Sequence, residues 1–205
     1  MEESQPMNPH YFTTPQGVAT RREITMTFWG RSWTFDTADG VFSGSRLDPG
    51  TAVLLREVAP DAVTSAGRLL DLGCGYGVIA VALAVCVPGV VVDAVDVNER
   101  ALELCARNAE RYGVSARVHP LLPEQANVDI RYDQLWSNPP IRIGKPALHE
   151  LLAAWLARLA DDGVAHLVVG KNLGADSLQT WLVSQGWVSE RIASAKGFRV
   201  FQVRR

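Results

Sequence analysis

The segment Gly67 to Ile79, Gly-Arg-Leu-Leu-Asp-Leu-Gly-Cys-Gly-Tyr-Gly-Val-Ile, constrains this chain more than any other. Arg68 to Leu72 is a short apolar run closing on the acid Asp71, and a second apolar run opens at Val78. Between them Gly73, Gly75 and Gly77 alternate with other residues, which reads as strand, tight turn, helix. Glycine accepts positive φ and lets bare backbone approach a ligand, so three at every second position describe a turn shaped around something bound.

The chemistry of the turn narrows that ligand. An acid closing the strand would repel a pyrophosphate, and the spacing departs from the Gly-x-Gly-x-x-Gly fingerprint of dinucleotide binders. Asp71 suits instead a ligand that carries an amine and a positive centre. S-adenosylmethionine has both, as an ammonium and a sulfonium.

Around this turn the chain alternates strands and helices. Val90 to Asp96 is almost entirely apolar and β-branched, the pattern of a central strand buried on both faces. Asn98 can cap a helix over Glu99 to Tyr112, and short strands follow at Ala116 to His119 and Asp133 to Ser137. An amphipathic helix spans Ala147 to Ala160, and Asp161-Asp162-Gly163 turns it into a strand over Val164 to Val169. A helix from Ala175 to Gln185 and strands near Trp187 to Ile192 and Phe198 to Val203 complete the chain.

Ahead of the turn, Arg22 to Phe28 and Ser32 to Phe35 alternate as a β-hairpin, and Asp48 or Thr51 can cap a helix carrying Ala52, Leu54, Leu55 and Val58. Residues 1–14 read as a loose arm that orders only if Tyr11 and Phe12 dock. The fold class is therefore α/β, a doubly wound and mostly parallel sheet with an N-terminal hairpin extension. We expect a single domain over 1–205, with 1–47 as arm and hairpin and 48–205 as core.

Composition excludes several classes. With 47% hydrophobic and 20% charged residues the chain is of globular type, and no apolar run reaches bilayer length. The start Met-Glu-Glu-Ser-Gln-Pro has neither the basic nor the apolar part of a signal peptide, so a cytoplasmic location is expected. Cys74, Cys86 and Cys105 are odd in number and share no ligand spacing with the histidines, so neither a disulfide framework nor a metal site is expected. The net charge is −2, but from Lys171 onward six basic residues face two acidic ones.

Two further motifs fall at strand ends, where ligands sit in open α/β sheets. Asp96 follows Gly77 by 19 residues and can accept both hydroxyls of a ribose. In Asn138-Pro139-Pro140 the prolines stiffen the backbone, so the Asn138 side chain and the Pro139 carbonyl can act as fixed acceptors for an exocyclic or amide NH₂. Such a nitrogen becomes nucleophilic when its hydrogens are held so that the lone pair faces a methyl donor, chemistry that runs on alignment and exclusion of water.

The set Asp71-Leu72-Gly73-Cys74-Gly75-Tyr76-Gly77, Asp96 and Asn138-Pro139-Pro140 resembles class I S-adenosylmethionine-dependent methyltransferases that act on amino groups. Val41-Phe42-Ser43, Leu47-Asp48-Pro49-Gly50-Thr51 and Asn138 through Lys145 resemble its MTS-domain branch, related to ribosomal-RNA small-subunit guanine-N2 methyltransferases. The resemblance implies a seven-stranded Rossmann-like fold. It also implies a donor site of Asp71, Gly73, Cys74, Gly75, Gly77, Asp96, Val97, Asn98 and the edge of Asn138, with Asn138, Pro139 and Pro140 catalytic. Phe42, Ile141, Arg142 and Lys145 would meet the acceptor, and RNA would be the partner.

Two departures stand out. Many Asn-Pro-Pro enzymes place Tyr or Phe next, to stack on a flipped base, and this chain has Ile141, so stacking falls to Trp136, Phe42 or a guanidinium. No clean acid follows the third strand to meet an adenine amine, Glu124 being the nearest. The same residues fit adenine N6 or a protein glutamine amide as acceptor, and a non-catalytic RNA-binding module would share the fold.

Overall fold

The computed structural model describes residues 20–60 and 66–205. The arm with Tyr11 and Phe12 lies outside them. A β-hairpin, β1 (Arg21–Phe28) and β2 (Arg31–Ala38), precedes α1 (Pro49–Glu57). Then come β3 (Ala66–Leu72), α2 (Val78–Cys86), β4 (Gly89–Val95), α3 (Glu99–Arg111), β5 (Val118–Leu121) and β6 (Tyr132–Ser137). The chain ends with α4 (Lys145–Leu156), β7 (Leu159–Gly170), α5 (Ala175–Ser184), β8 (Val188–Ala195) and β9 (Phe198–Arg204). Seven strands form one sheet in the order β5-β4-β3-β6-β7-β9-β8, parallel from β5 to β7 and antiparallel for β9 and β8.

The order of the sheet explains where a ligand can sit. The chain winds outward from β3 through β4 to β5, then returns to the other side of β3 as β6. The crevice of an open α/β sheet opens at that reversal. Register places Leu72 of β3 beside Ser137 of β6, and the Ser137 hydroxyl donates to the Leu72 carbonyl at 2.7 Å. The glycine turn and Asn138 therefore leave neighbouring strands side by side.

Apolar packing fixes both faces. On one, α2 is apolar nearly all round, with Val78 through Ala84 buried between the sheet and the cluster that includes Leu54, Leu55, Leu104 and Cys105. On the other, Leu148, Leu152 and Leu156 of α4 meet Leu178 and Leu182 of α5 over Leu70, Leu135 and Phe201. Full burial of each such side chain contributes about 1.5–3 kcal/mol.

The hairpin belongs to the first cluster through Met26, Trp33 and Phe35. It turns at Trp29-Gly30 with φ of 49° and 68°, the positive pair that a two-residue type I′ turn demands. Side chains of α3 and its C-cap Tyr112 then pair with the hairpin edge. Asn108 accepts from the Asp36 N–H at 2.8 Å and donates to the Asp36 carbonyl at 3.0 Å, while the Tyr112 hydroxyl accepts from the Thr34 N–H at 2.7 Å.

Sequence and structure differ most after α4. The spacing predicts a helix to Ala160 and a turn at Asp161-Asp162-Gly163, whereas α4 ends at Leu156 and β7 begins at Leu159. Buried Leu159 pairs with Tyr132, and Gln134 pairs next with Val164, so Ala160 to Gly163 form a bulge inside the strand. Periodicity carried the helix too far because Leu159 continues the apolar pattern while serving the strand.

Candidate active site at the carboxyl rim

Glycine φ values of 76°, 54° and 88° at Gly73, Gly75 and Gly77 bend the chain from β3 into α2. At Gly77 a Cβ would lie 2.5 Å from Cys105 Sγ, so the packing of α2 on α3 also forbids a side chain. Beside Gly73 and Gly75 no atom of the described residues beyond the chain neighbours lies within 4 Å of the corresponding position, leaving room for a ligand against the backbone. The N–H groups of Gly73 and Cys74 donate to the Val95 carbonyl at 2.8 and 3.0 Å, which ties the turn to the end of β4.

The acids meet at this turn. Asp96 Oδ2 accepts from the Gly75 N–H at 2.8 Å and Oδ1 from the Asn98 N–H at 3.0 Å. Burial raises the Asp96 pKa, and backbone hydrogen bonds from Asn98 and Gly75 partly offset it. Asp71 is fully buried: Oδ2 accepts from the Ala80 N–H at 3.0 Å, and Oδ1 has no partner among the described residues. Its pKa is pushed up to about 7, first by burial and then, against the Ala80 bond, by the nearby Asp96 charge.

Phe42, Asp48, Thr51, Gly73, Gly75 and Asn138 line one cleft. Asn138 Nδ2 donates to Asp48 Oδ1 at 2.6 Å and to Thr51 Oγ1 at 3.1 Å. The Pro139 carbonyl already accepts from the Ile141 N–H at 2.8 Å, so one of its two lone pairs is in use. Phe42 stands at the cleft with 51% of its surface exposed.

Other expected residues have different surroundings. Trp136 cannot stack on a base: it is fully buried, its indole N–H donates to Gln134 Oε1 at 2.9 Å, and Trp29 and His166 pack on it. Ile141 is partly buried and packs against the apolar cluster that includes α4, and it is not among the residues that line the cleft. Asn98 is 2% exposed and fully engaged, capping α3 through Arg100 N and donating to the Gly40 carbonyl at 3.0 Å. Val97 is half-exposed on the rim beside Asp96, and Glu124 lies exposed in a 3₁₀ turn after β5.

Cys74 lines the cleft, and burial beside Cys105 holds its thiol well above the usual range, which suits packing and not attack. Arg142 and Lys145 are exposed beyond β6. Lys145 opens α4, the helix end where the dipole disfavours a cation.

One neighbour of the site escapes the sequence pattern, and the glycine of the Leu47-Asp48-Pro49-Gly50-Thr51 motif shows where it lies. Gly50 is small because a Cβ there would press within 3.0 Å of Asp48 Oδ1 and Phe198 Cε1 and 3.3 Å of Asn138 Nδ2. Phe198, at the start of β9, is thereby an aromatic neighbour of Asn138 delivered by the last strand of the chain. No short motif announced it.

The fold and this cleft define a class I S-adenosylmethionine-dependent methyltransferase. Comparison with known proteins agrees, since the methyltransferase small domain matches residues 32–202, and the chain belongs to that family. It is 32% identical to the Bacillus subtilis protein YbxB over 83% of its own length and 86% of that protein's. It is 30% identical to the ribosomal RNA small subunit methyltransferase C of Shewanella oneidensis over 76% of its length, and spans about half (48%) of that enzyme.

Among solved structures it is similar to the T. thermophilus 16S rRNA N2 methyltransferase RsmC in complex with AdoMet and guanosine. The TM-score is 0.78 and the identity 23%, covering 93% of this chain and 52% of that one. No described helix is long and apolar enough to cross a membrane.

Proposed function

We propose that this chain transfers a methyl group to an exocyclic amine of RNA, guanine N2 of small-subunit ribosomal RNA fitting best. One observation carries the reading: Asn138 shares a cleft with the glycine turn while its NH₂ is already held, so its carbonyl oxygen remains to accept from an amine. The name of the Shewanella enzyme supports small-subunit ribosomal RNA as the substrate. So does the charge of the rim. Arg191 and Arg199 pair with Asp176, whereas Arg142, Lys145, Lys171 and Lys196 stand exposed. The Lys171 N–H donates to the Gly197 carbonyl at 2.7 Å, bringing the β8–β9 turn to the end of β7. These cations suit phosphates flanking an extruded base.

The residues present fit the donor. Open backbone at Gly73 and Gly75 and the unpartnered Asp71 oxygen suit its cationic methionine end, and Asp96 suits its ribose. Bound there, S-adenosylmethionine supplies an activated methyl group. Asn138 Oδ1 and the free lone pair of the Pro139 carbonyl hold the two amine hydrogens, which aims the nitrogen lone pair and replaces water around it.

The decisive assay supplies labelled donor with undermethylated ribosomal subunits, duplex DNA or cell protein. Label confined to subunit RNA, and mapped to guanine N2, supports the proposal. Label in DNA adenine or in protein shifts the acceptor, and label in none despite donor binding leaves a binding module. In Asn138→Ala the transfer rate should fall about 10²–10³-fold with donor affinity held within about threefold by calorimetry. A variant that loses donor binding with its rate constant intact would reverse the assigned role.

A further inference from the structure

Asn138 is held within the cleft by a residue 90 positions earlier. Asp48 Oδ1 accepts the Asn138 NH₂ at 2.6 Å, together with the backbone N–H groups of Gly50 at 2.7 Å and Thr51 at 3.0 Å. A carboxylate oxygen only accepts, so the amide must turn its nitrogen toward it. The flipped amide would set oxygen against oxygen and lose a short charge-assisted bond. The backbone makes the holder rigid: Asp48 is the N-cap of α1, with φ of −58° and ψ of 134°, and Pro49 opens the helix.

We propose that Asp48 is a positioning residue that locks the Asn138 amide with its carbonyl oxygen presented to the acceptor. The inference rests on the assignment of Asn138 to amine methylation. It adds a rule of selectivity: with the nitrogen side committed to Asp48 and Thr51, the site favours nucleophiles that bring N–H donors over those offering only lone pairs. Gly50 belongs to the same device, because a side chain there would push Asp48 and Asn138 apart.

The test separates capping from positioning. Serine caps helices about as well as aspartate, yet its hydroxyl stops one atom short of the carboxylate oxygen. Asp48→Ser should keep the melting temperature and the affinity for S-adenosylmethionine, within about threefold by calorimetry, while kcat falls about 30-fold or more. Asp48→Asn, whose side-chain oxygen can still accept, should recover part of that loss. Full activity in Asp48→Ser overturns the proposal, and so does a fall in kcat matched by an equal fall in donor affinity.

A second measurement needs no acceptor. In ¹⁵N spectra the Asn138 side-chain NH₂ signals should move on Asp48→Ser, and signals that stay in place overturn the contact. If the wild-type protein methylates no amine, the functional assignment fails alone, and these signals still decide whether Asp48 holds Asn138.

Discussion

Two aspartates on neighbouring central strands, Asp71 of β3 and Asp93 of β4, are both fully buried and have opposite surroundings. Asp93 receives two bonds from Arg68, at 2.6 and 3.1 Å, one from the Tyr132 hydroxyl at 2.9 Å, and approaches His119 Nδ1 at 3.3 Å. Asp71 has one backbone N–H and an oxygen without a partner among the described residues. Burying a carboxylate costs several kcal/mol unless partners compensate. Asp93 is compensated by the protein itself, and Asp71 keeps an uncompensated oxygen among the described residues, as the proposed binding of a cationic donor requires. The comparison separates a partnered acid from an unpartnered one where burial alone would class them together.

The largest expected effect is in pH dependence. The Asp71 pKa rises from 3.8 unfolded to about 7 folded, so between these values the folded protein binds the extra proton. Stability from this group is therefore present at low pH and is lost as pH rises from about 4 to 7, by up to about 4 kcal/mol. Urea unfolding across that range should show the loss in the wild type and a flatter profile in Asp71→Asn. A donor ammonium favours the charged form, so donor affinity should rise through about pH 7 in the wild type only. Equal slopes in both proteins would erase the contrast between the two acids.

Asp93→Ala comes next. It strands Arg68 and the Tyr132 hydroxyl and should cost about 3 kcal/mol, the low end for a broken buried pair because the Arg68 side chain is 32% exposed. Folded variant should bind the donor normally by calorimetry, and a large loss of affinity would mean Asp93 also serves the site. Tyr132→Phe removes one bond to a charged group and should cost about 1.5 kcal/mol by urea unfolding, leaving Arg68 to hold Asp93. No measurable change would assign the compensation to Arg68 alone.

Much of this was legible in the chain, and what was not has a common cause. The glycine turn, the hairpin and the strand–helix alternation follow from local spacing, which sets φ, amphipathicity and strand pairing. The fate of Asp71 does not, because its burial depends on how α2 lies over the turn. Trp136 looked available for stacking only until Trp29 and His166 packed on it from 107 and 30 residues away in the chain. The Asp48–Asn138 bond joins two motifs that were each visible, one as a helix cap and one as an acceptor clamp. Their partnership is a property of the topology that sets α1 beside the end of β6.

Asn108 has a consequence for anyone seeking the minimal enzyme. It is fully buried, and its single amide donates both to the Asp36 carbonyl of the hairpin and, at 2.8 Å, to the Tyr76 carbonyl inside the glycine turn. Trimming the hairpin away would strip Asn108 of its two bonds to Asp36 and loosen the amide that also holds the Tyr76 carbonyl, so a fragment starting at α1 should keep the recognisable motifs on a less firmly braced turn. A fragment meant to keep that brace must therefore include the hairpin.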